Sequence, residues 1–535
     1  MGDAFMGVTA CEEQDKLHPR SDSSSFDVNS SVVKRVGILQ EEGFHSGVER
    51  RRVDRRRKRA LRVMKFGGTS VGNAACMERA AQIIQNASRD SNVVVVVSAM
   101  SGVTDSLIKV ATLLEAGDRE RAAIILEQLR NQHNVVANML IKAPEEKIRT
   151  ARKIQEIFNE GDHLCQSVIL GGELTLEARD SIASLGERLS APLLAAALED
   201  QGVASEAIDA TELVVTDSYH GASEPLMELT QERCEARLRP LLNKRIVAVV
   251  TGYIGATPEG VLTTLGRGGS DYSATILGAA LHADEVIIWT DVDGILTADP
   301  RLVPGACTIP EISYREAADL AYFGAKVLHP KTLRPLLQSD IPVWIRNTFA
   351  PERPGTKISS RGSQNSGRVK ALTAMGDVAF ITVGGPGIVG VHDVLGRTFM
   401  TTEAVRADVL LVSQSSSQND ICFVVPSPVA QRTVEALRTE FAPDLAHHKV
   451  EHITVDQSAA IVAVVGEKMN GTPGIVGQTF AALGRENVNI IAIAQGSAQC
   501  NISFLVAKKD MKRALDTAHR EFQLGPREAA GLTAP

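Results

Sequence analysis

The chain of 535 residues is 44% apolar and 23% charged and carries a formal charge of -7, a soluble globular composition that excludes collagenous, low-complexity and membrane classes. At roughly 150 residues per domain, this length calls for about three to four domains. The charge is uneven: Arg50 to Arg59 holds seven Arg, one Lys and one Asp, so the rest of the chain is acidic; the Arg run reads as a solvated tail, with a nucleic-acid or targeting function as the alternative, and no nucleic-acid partner is assigned.

Residues 1–60 read as a disordered basic extension, a Ser/Asp stretch at Ser21 to Ser31 followed by the Arg run, with no periodic apolar pattern to bury. Glu12, Glu13, Glu41 and Glu42 weigh against a transit peptide. The expected location is cytoplasmic, with a plastid as the alternative if the extension is a targeting peptide. The seven cysteines are odd in number and contain no C-x-x-C pair, which fits a reducing compartment better than a disulfide framework or a structural zinc site. No apolar run approaches the roughly 18 residues of a membrane span, so no membrane contact is expected.

From residue 61 onward, short β-branched runs alternate with helical patterns, the sign of an α/β sheet. Asn73 to Ser88 has helical spacing. Val93 to Val97, five consecutive valines, is predicted to be a strand buried on both faces. Arg119 to Leu140 is predicted to be a helix that stops near Pro144, and Ile246 to Val250, Glu285 to Trp289 and Pro342 to Arg346 are further strands. Thr356 to Lys370, rich in Ser, Gly, Arg and Lys, is expected to be a linker that closes a domain of residues 61–355. Beyond it lies an internal repeat. PGIVG occurs at Pro386 and at Pro473, and VSQSSSQNDICF from Val412 returns as IAQGSAQCNISF from Ile493. The two copies, 371–450 and 451–535, each read as a βαββαβ-like module, a kind of unit that suits regulation or dimerisation.

Three glycine-rich turns carry the chemistry. KFGGTSVG, Lys65 to Gly72, ends a strand in two glycines before a helix. Such a turn lets backbone approach a phosphate, with Lys65 placed to meet a transferring phosphoryl group; an ordinary strand-to-helix turn is the other reading of this motif. TLGRGGSDYSA, Thr264 to Ala274, adds Arg267 before its glycines and Asp271 after them, a pairing that suits an amino-acid substrate because an Arg fork clamps a carboxylate while an acid holds an ammonium. WTDVDGILTADPR, Trp289 to Arg301, sets Thr290 and Asp291 at the carboxyl end of a strand, where open α/β sheets bind ligands. Its aspartates lack the Gly and Glu spacing of a calcium loop, and no metal ligand is assigned. YFGAKVLHP supplies Lys326 and LGERLSA supplies Glu187.

Standing in this order, KFGGTSV, VVSAMSGVTD, GERLSA, GRGGSDYSA, TDVDG with TADPR, and GAKVLHP resemble the aspartokinases of the amino acid kinase family, and the repeats resemble their paired ACT domains. The resemblance implies an αβα sandwich around a mainly parallel open sheet, followed by two βαββαβ ACT-like domains. It implies phosphoryl transfer from ATP, with Mg2+, to the side-chain carboxylate of L-aspartate. Lys65 and Asp271 are then the catalytic pair. Ser98, Thr104, Glu187, Arg267, Gly268, Gly269 and Ser270 hold aspartate, and Lys65, Phe66, Gly67, Gly68, Thr290, Asp291, Leu296, Arg301 and Lys326 hold ATP. Leu296 stands where the family commonly has Tyr. The repeats look like those of the kinase half of bifunctional aspartokinase/homoserine dehydrogenases, with Gln418 and Gln499 in place of acids. Gln414 and Gln495 are the candidates for an amino-acid effector, threonine first and lysine second, and a homodimer or homotetramer is expected through the repeats. Because the chain ends at Pro535, no dehydrogenase domain is expected within it.

Three rivals are weaker. GGPGIVG at Gly384 to Gly390 contains a dinucleotide-type fingerprint, but its repeat lacks the first glycine and the next strand ends in Ser413-Gln414 rather than an acid for a ribose. A non-catalytic amino-acid sensor would have lost charged site residues, and the named ones are intact. Glutamate or acetylglutamate kinase would not need the paired repeats.

Overall fold

The five valines of Val93–Val97 alternate between two cores: Val93, Val95 and Val97 face one and Val94 and Val96 the other. A strand apolar on both sides must be covered on both faces, and that requirement organises the first half of the chain. The computed structural model describes residues 59–324, 328–363, 369–385, 393–414, 420–469, 472–495 and 500–526. Among them the first half forms β1 (Leu61–Phe66), β2 (Asn92–Val97), β3 (Ser205–Ile208), β4 (Val247–Thr251), β5 (Ile254–Ala256), β6 (Leu262–Thr264), β7 (Glu285–Thr290), β8 (Glu311–Ser313), β9 (Val343–Asn347) and β10 (Thr356–Ser359). Eight of these make one sheet in the order β3-β4-β2-β1-β7-β9-β10-β8, and β5 and β6 pair separately. The large sheet is parallel except where β10 runs against β9.

One face of the sheet is covered by α1 (Ala74–Ser88), α2 (Val103–Glu115), α3 (Arg119–Leu140), α4 (Pro144–Gly171) and α5 (Leu176–Asp200). The other is covered by α6 (Met227–Asn243), α7 (Gly269–Ala280) and α8 (Tyr314–Tyr322). The expected αβα sandwich is present. Asn73 caps α1, its side chain accepting from the Cys76 amide at 2.9 Å. α3 ends at Leu140 as its spacing predicts, with Ile141 extended ahead of the proline that opens α4.

The expected linker at 356–370 needs correction, because its first four residues are β10. Thr356 and Ile358 are fully buried. The Thr356 hydroxyl accepts from the Ile295 amide at 2.8 Å and donates to the Ile309 carbonyl at 2.7 Å. A buried threonine satisfied in this way looks like surface polarity in a sequence.

The second half contains β11 (Ala371–Met375), β12 (Val378–Gly384), α9 (Val394–Ala404), β13 (Leu411–Gln414), β14 (Asp420–Pro426), α10 (Ser427–Glu440), α11 (Ala442–Ala446), β15 (His452–Asp456), β16 (Ala459–Val465), α12 (Ile475–Arg485), β17 (Ile490–Ala494), β18 (Asn501–Ala507) and α13 (Met511–Glu521). They form two antiparallel sheets, β13-β14-β12-β15 and β11-β16-β18-β17. The expected division into 371–450 and 451–535 is therefore also corrected. β11, from the first span, pairs with β16 of the second sheet, and β15, from the second span, pairs with β12 of the first. The first βαββαβ unit sits between the opening strand of the second unit and the remainder of that unit. Internal similarity marks the copies without saying which strand closes which sheet. The PGIVG string at 386–390 lies outside the described residues.

The second unit is joined to the first half of the chain through its core. Ala298 and Val303, from the loop after β7, pack with Leu372, Val462, Phe504 and Leu515. Nearby, the Thr297 hydroxyl meets His519 Nε2 at 2.9 Å. The fully buried Glu316 pairs with Lys370 at 2.8 Å and also accepts the Glu467 amide at 2.7 Å. Among the described residues no helix is long and apolar enough to cross a membrane.

Candidate active site

Since β1, β2, β4 and β7 run parallel, their carboxyl ends share one edge. There the Gly67 amide donates to the Trp289 carbonyl and the Ser98 amide to the Phe66 carbonyl, each at 3.1 Å. The buried Phe66 ring stacks on Trp289, centroids 6.1 Å apart. The turn Gly68–Val71 follows, and its Ser70 hydroxyl lies 2.7 Å from the Thr348 hydroxyl and 3.3 Å from the Trp289 carbonyl. Neither Ser70 nor Thr348 was singled out from sequence; Thr348 reaches the site only because β9 lies beside β7 in the right register.

Helix α7 enters from the opposite face. Gly268, at its N-cap, has φ 73°, and a Cβ there would lie 2.9 Å from the Cβ of His329, so the turn requires glycine. No side chain caps this helix, whose N-terminal amides are suited to an anion. Asp271, in its first turn, receives Lys65 Nζ at 2.5 Å, both side chains being mostly buried. α5 supplies the third charged group. A Cβ on Gly186 would fall 2.6 Å from the Cβ of Ala99, so glycine at this position lets the helix approach the end of β2 and carry Glu187 into the site.

Glu187 is 3% exposed. Burial pushes its carboxyl up to about 7, against the pull of the Ala99 backbone, the Lys65 ammonium and the Ser270 hydroxyl. The sign of the pH effect follows. A carboxyl whose folded value exceeds its unfolded value near 4.5 leaves the native state holding the extra proton, so its contribution to stability is fully present below that value and declines as pH rises toward 7. Glu187→Gln is expected to remove this decline, so that the melting temperature of the variant gains on that of the parent protein between roughly pH 5 and 8. Parallel melting curves across that window would show that Glu187 titrates as an ordinary surface acid.

The structure thus brings Lys65, Glu187, Ser270 and Asp271 together. Thr104 lies half-buried in the first turn of α2, and Arg267 is exposed just before Gly268. Burial first, and then the cations Lys331, Arg267 and Arg334, hold the His329 imidazole below its ordinary value. At the end of β7 the Thr290 hydroxyl donates to Asp291 at 3.2 Å. Asp293 is taken up structurally, by Asn347 at 2.7 Å and by Arg353. Leu296 bridges to Thr308, and Arg301 is exposed and folded onto Asp299 at 2.6 Å, so both stand on the following loop. Lys326 lies outside the described residues.

Asp180 was missed. It is buried, accepts the Thr264 hydroxyl at 2.6 Å and the Gly221 amide at 3.1 Å, meets His220 at 2.9 Å, and so braces the glycine-rich turn. Among Glu177, Arg179 and Ser181 it carries no sequence signal of burial. Gln414 and Gln495 are exposed at the ends of the edge strands β13 and β17, while Gln418 and Gln499 lie outside the described residues. Among the described residues no three His, Cys, Asp or Glu side chains converge as a protein-held metal requires.

A model of the amino acid kinase family matches residues 60–347, and an ACT domain model matches 381–441 and 462–522. The chain is 35% identical, over 88% of its length, to the chloroplastic bifunctional aspartokinase/homoserine dehydrogenase 1 of Arabidopsis thaliana, and covers 52% of it. It thus spans about half the length of that relative. It is 32% identical to lysine-sensitive aspartokinase 3 of Escherichia coli, over 85% of this chain and 98% of that one. Among solved structures, E. coli aspartokinase III in complex with aspartate and ADP superposes with a TM-score of 0.72 at 30% identity, covering 86% of this chain and 100% of that one. The same enzyme with lysine and aspartate also gives 0.72.

Proposed function

Because the chain belongs to the amino acid kinase family, among the aspartokinases, we propose that it transfers the γ-phosphoryl group of ATP to the side-chain carboxylate of L-aspartate, giving 4-phospho-L-aspartate. The observation that carries this reading is the Lys65–Asp271 pair at the N-terminus of α7, with Glu187 beside it. The acceptor carboxylate has a pKa near 4 and is ionised at neutral pH, so no general base is needed. The barrier is the approach of two anions, and what lowers it is fixed positive charge and alignment. Lys65, held by Asp271, neutralises the transferring group; Gly67, whose amide is held by the Trp289 carbonyl, keeps the turn open to it, and the amides of Gly68 and of the α7 N-terminus receive its oxygens.

Glu187 receives the substrate ammonium and Arg267 the α-carboxylate, with Ser98, Thr104, Gly268, Gly269 and Ser270 shaping the pocket. Phe66, Thr290, Asp291, Leu296, Arg301 and Lys326 attend the nucleotide; Arg301 must leave Asp299 to do so. Mg2+ bound with the nucleotide would supply charge neutralisation at the phosphates, held mainly by the phosphates and water rather than by a protein cage. The exposed carboxylate of Asp291 is suited to the remaining position.

The ACT-like repeats bind an amino-acid effector, threonine or lysine, through Gln414 and Gln495, and mediate a homodimer or homotetramer. The reaction is placed in the cytoplasm, or in a plastid if residues 1–60 direct it there. An ATP-dependent hydroxamate assay is expected to give product with aspartate and not with glutamate or acetylglutamate, and to be inhibited by threonine or lysine. Turnover of glutamate at a comparable rate would overturn the substrate assignment. Because an ammonium binds the ionised form of Glu187, kcat/KM for aspartate is expected to rise with pH up to about 7 and then level off, a rise that Glu187→Gln abolishes.

A further inference from the structure

Both tryptophans of the chain line one groove, whose lining includes no residue of the glycine-rich turns at 67–72 and 266–269. It runs along the β7 and β9 faces beside α1 and encloses about 520 Å³, within the range of small-molecule sites. Register explains the pairing of its walls. Ile287 of β7 stands opposite Trp344 of β9, and Trp289 opposite Arg346, so alternate residues of two neighbouring strands point into the same groove.

The polar groups here are unusual for a surface groove. The Arg346 guanidinium lies 5.2 Å from the Trp344 ring and 5.9 Å from the Trp289 ring, and Arg79 of α1 lies 5.2 Å from the ring of Phe349. Neither arginine makes an ion pair with a carboxylate among the described residues, whereas Arg62, at the far end of the groove, is held by Glu285 at 2.7 Å and Asp90 at 3.2 Å. Trp289 is 3% exposed. Its Nε1–H and the Arg346 Nε–H are both buried without an acceptor among the described residues, a condition that is destabilising unless something satisfies it. Two cations without acids, two orphaned donors and an aromatic wall form a donor set for an oxyanion.

We propose that this groove is a second binding site, for a small metabolite with an apolar body and an oxyanion head, carboxylate or phosphate. Arg346 and Arg79 take the head, and Ile287 and Trp344 pack against the body. The Trp289 backbone carbonyl already holds Gly67 and Ser70 of the Lys65 turn, so an occupant lies one strand's thickness from the phosphoryl-binding backbone.

The test is direct because all indole fluorescence of the protein arises in the groove. The full chain is titrated with benzoate, with phenyl phosphate and with neutral benzamide, each in the presence of saturating ADP and aspartate to keep the active site filled. A saturable change in emission with one or both anions and not with benzamide is expected, and the stronger of the two identifies the head. Arg346→Met is expected to weaken that affinity by about 10- to 100-fold, the loss of a charge-assisted hydrogen bond. Arg79→Gln, a change on an exposed helix surface, provides a second variant that does not depend on how the groove repacks, and is expected to weaken it several-fold. No saturable change with either anion would overturn the proposal, as would equal responses to benzamide or unchanged affinity in Arg79→Gln together with Arg346→Met.

Discussion

Replacing Lys65 by alanine is expected to lower kcat by roughly 10³-fold or more while the protein stays folded. The magnitude is that of removing one preorganised donor or cation aimed at developing charge. The ammonium is well placed for this, being mostly buried and fixed at 2.5 Å from Asp271, so that little reorganisation is needed when the phosphoryl group arrives. Alanine also leaves the Asp271 carboxylate facing the phosphates, which adds repulsion. Lys65→Arg retains the charge but brings a planar fork into a space made for a compact ammonium, and is expected to recover only part of the activity. Turnover within threefold of the parent protein in Lys65→Ala, with an intact far-ultraviolet spectrum, would remove Lys65 from the chemistry.

The second large effect concerns stability. Glu316 and Lys370 have side chains 1% and 5% exposed, and Glu316 also accepts the Ser313 amide that completes its capping box on α8. Lys370→Ala leaves a fully buried carboxylate without its cation, a change that costs about 3–5 kcal/mol. The expected result is a clear fall in the denaturation midpoint together with earlier separation of the ACT-like half, since Glu316 also holds the Glu467 amide of the second unit. Pairing Lys370→Met with Glu316→Gln is expected to restore most of the loss, because the charge and its counter-charge are removed together. If Lys370→Ala melts with the parent protein, the pair is not a joint.

Much of this was readable from the sequence. Five valines in a row can only be a strand with both faces covered, and Arg119 to Leu140 keeps its spacing up to a proline. Lys65 and Asp271 were legible because the glycines around them are signs of close backbone approach. What stayed hidden has a common cause, which is complementarity between residues distant in the chain. Thr356 reads as linker until the Ile295 and Ile309 backbone groups that satisfy it are in place. Asp180 reads as a surface acid until the glycine-rich turn closes on it, 84 residues later. Glu316 and Lys370 are each unremarkable alone. The exchange of β11 and β15 between the two sheets escaped notice because a repeat in sequence reveals kinship, not closure.

That exchange also sets an order of events during synthesis. β11 leaves the ribosome well before β16, its partner, and the entire first unit is made in between. At about 5–20 residues per second, Ala371–Met375 waits roughly 4 to 17 seconds with its pairing edge open. Over that interval the intervening unit has all four of its own strands, β12 through β15, and can close unaided. The nascent chain is therefore built from the inside outward, and any delay in the inner unit leaves an unpaired apolar strand available to other chains.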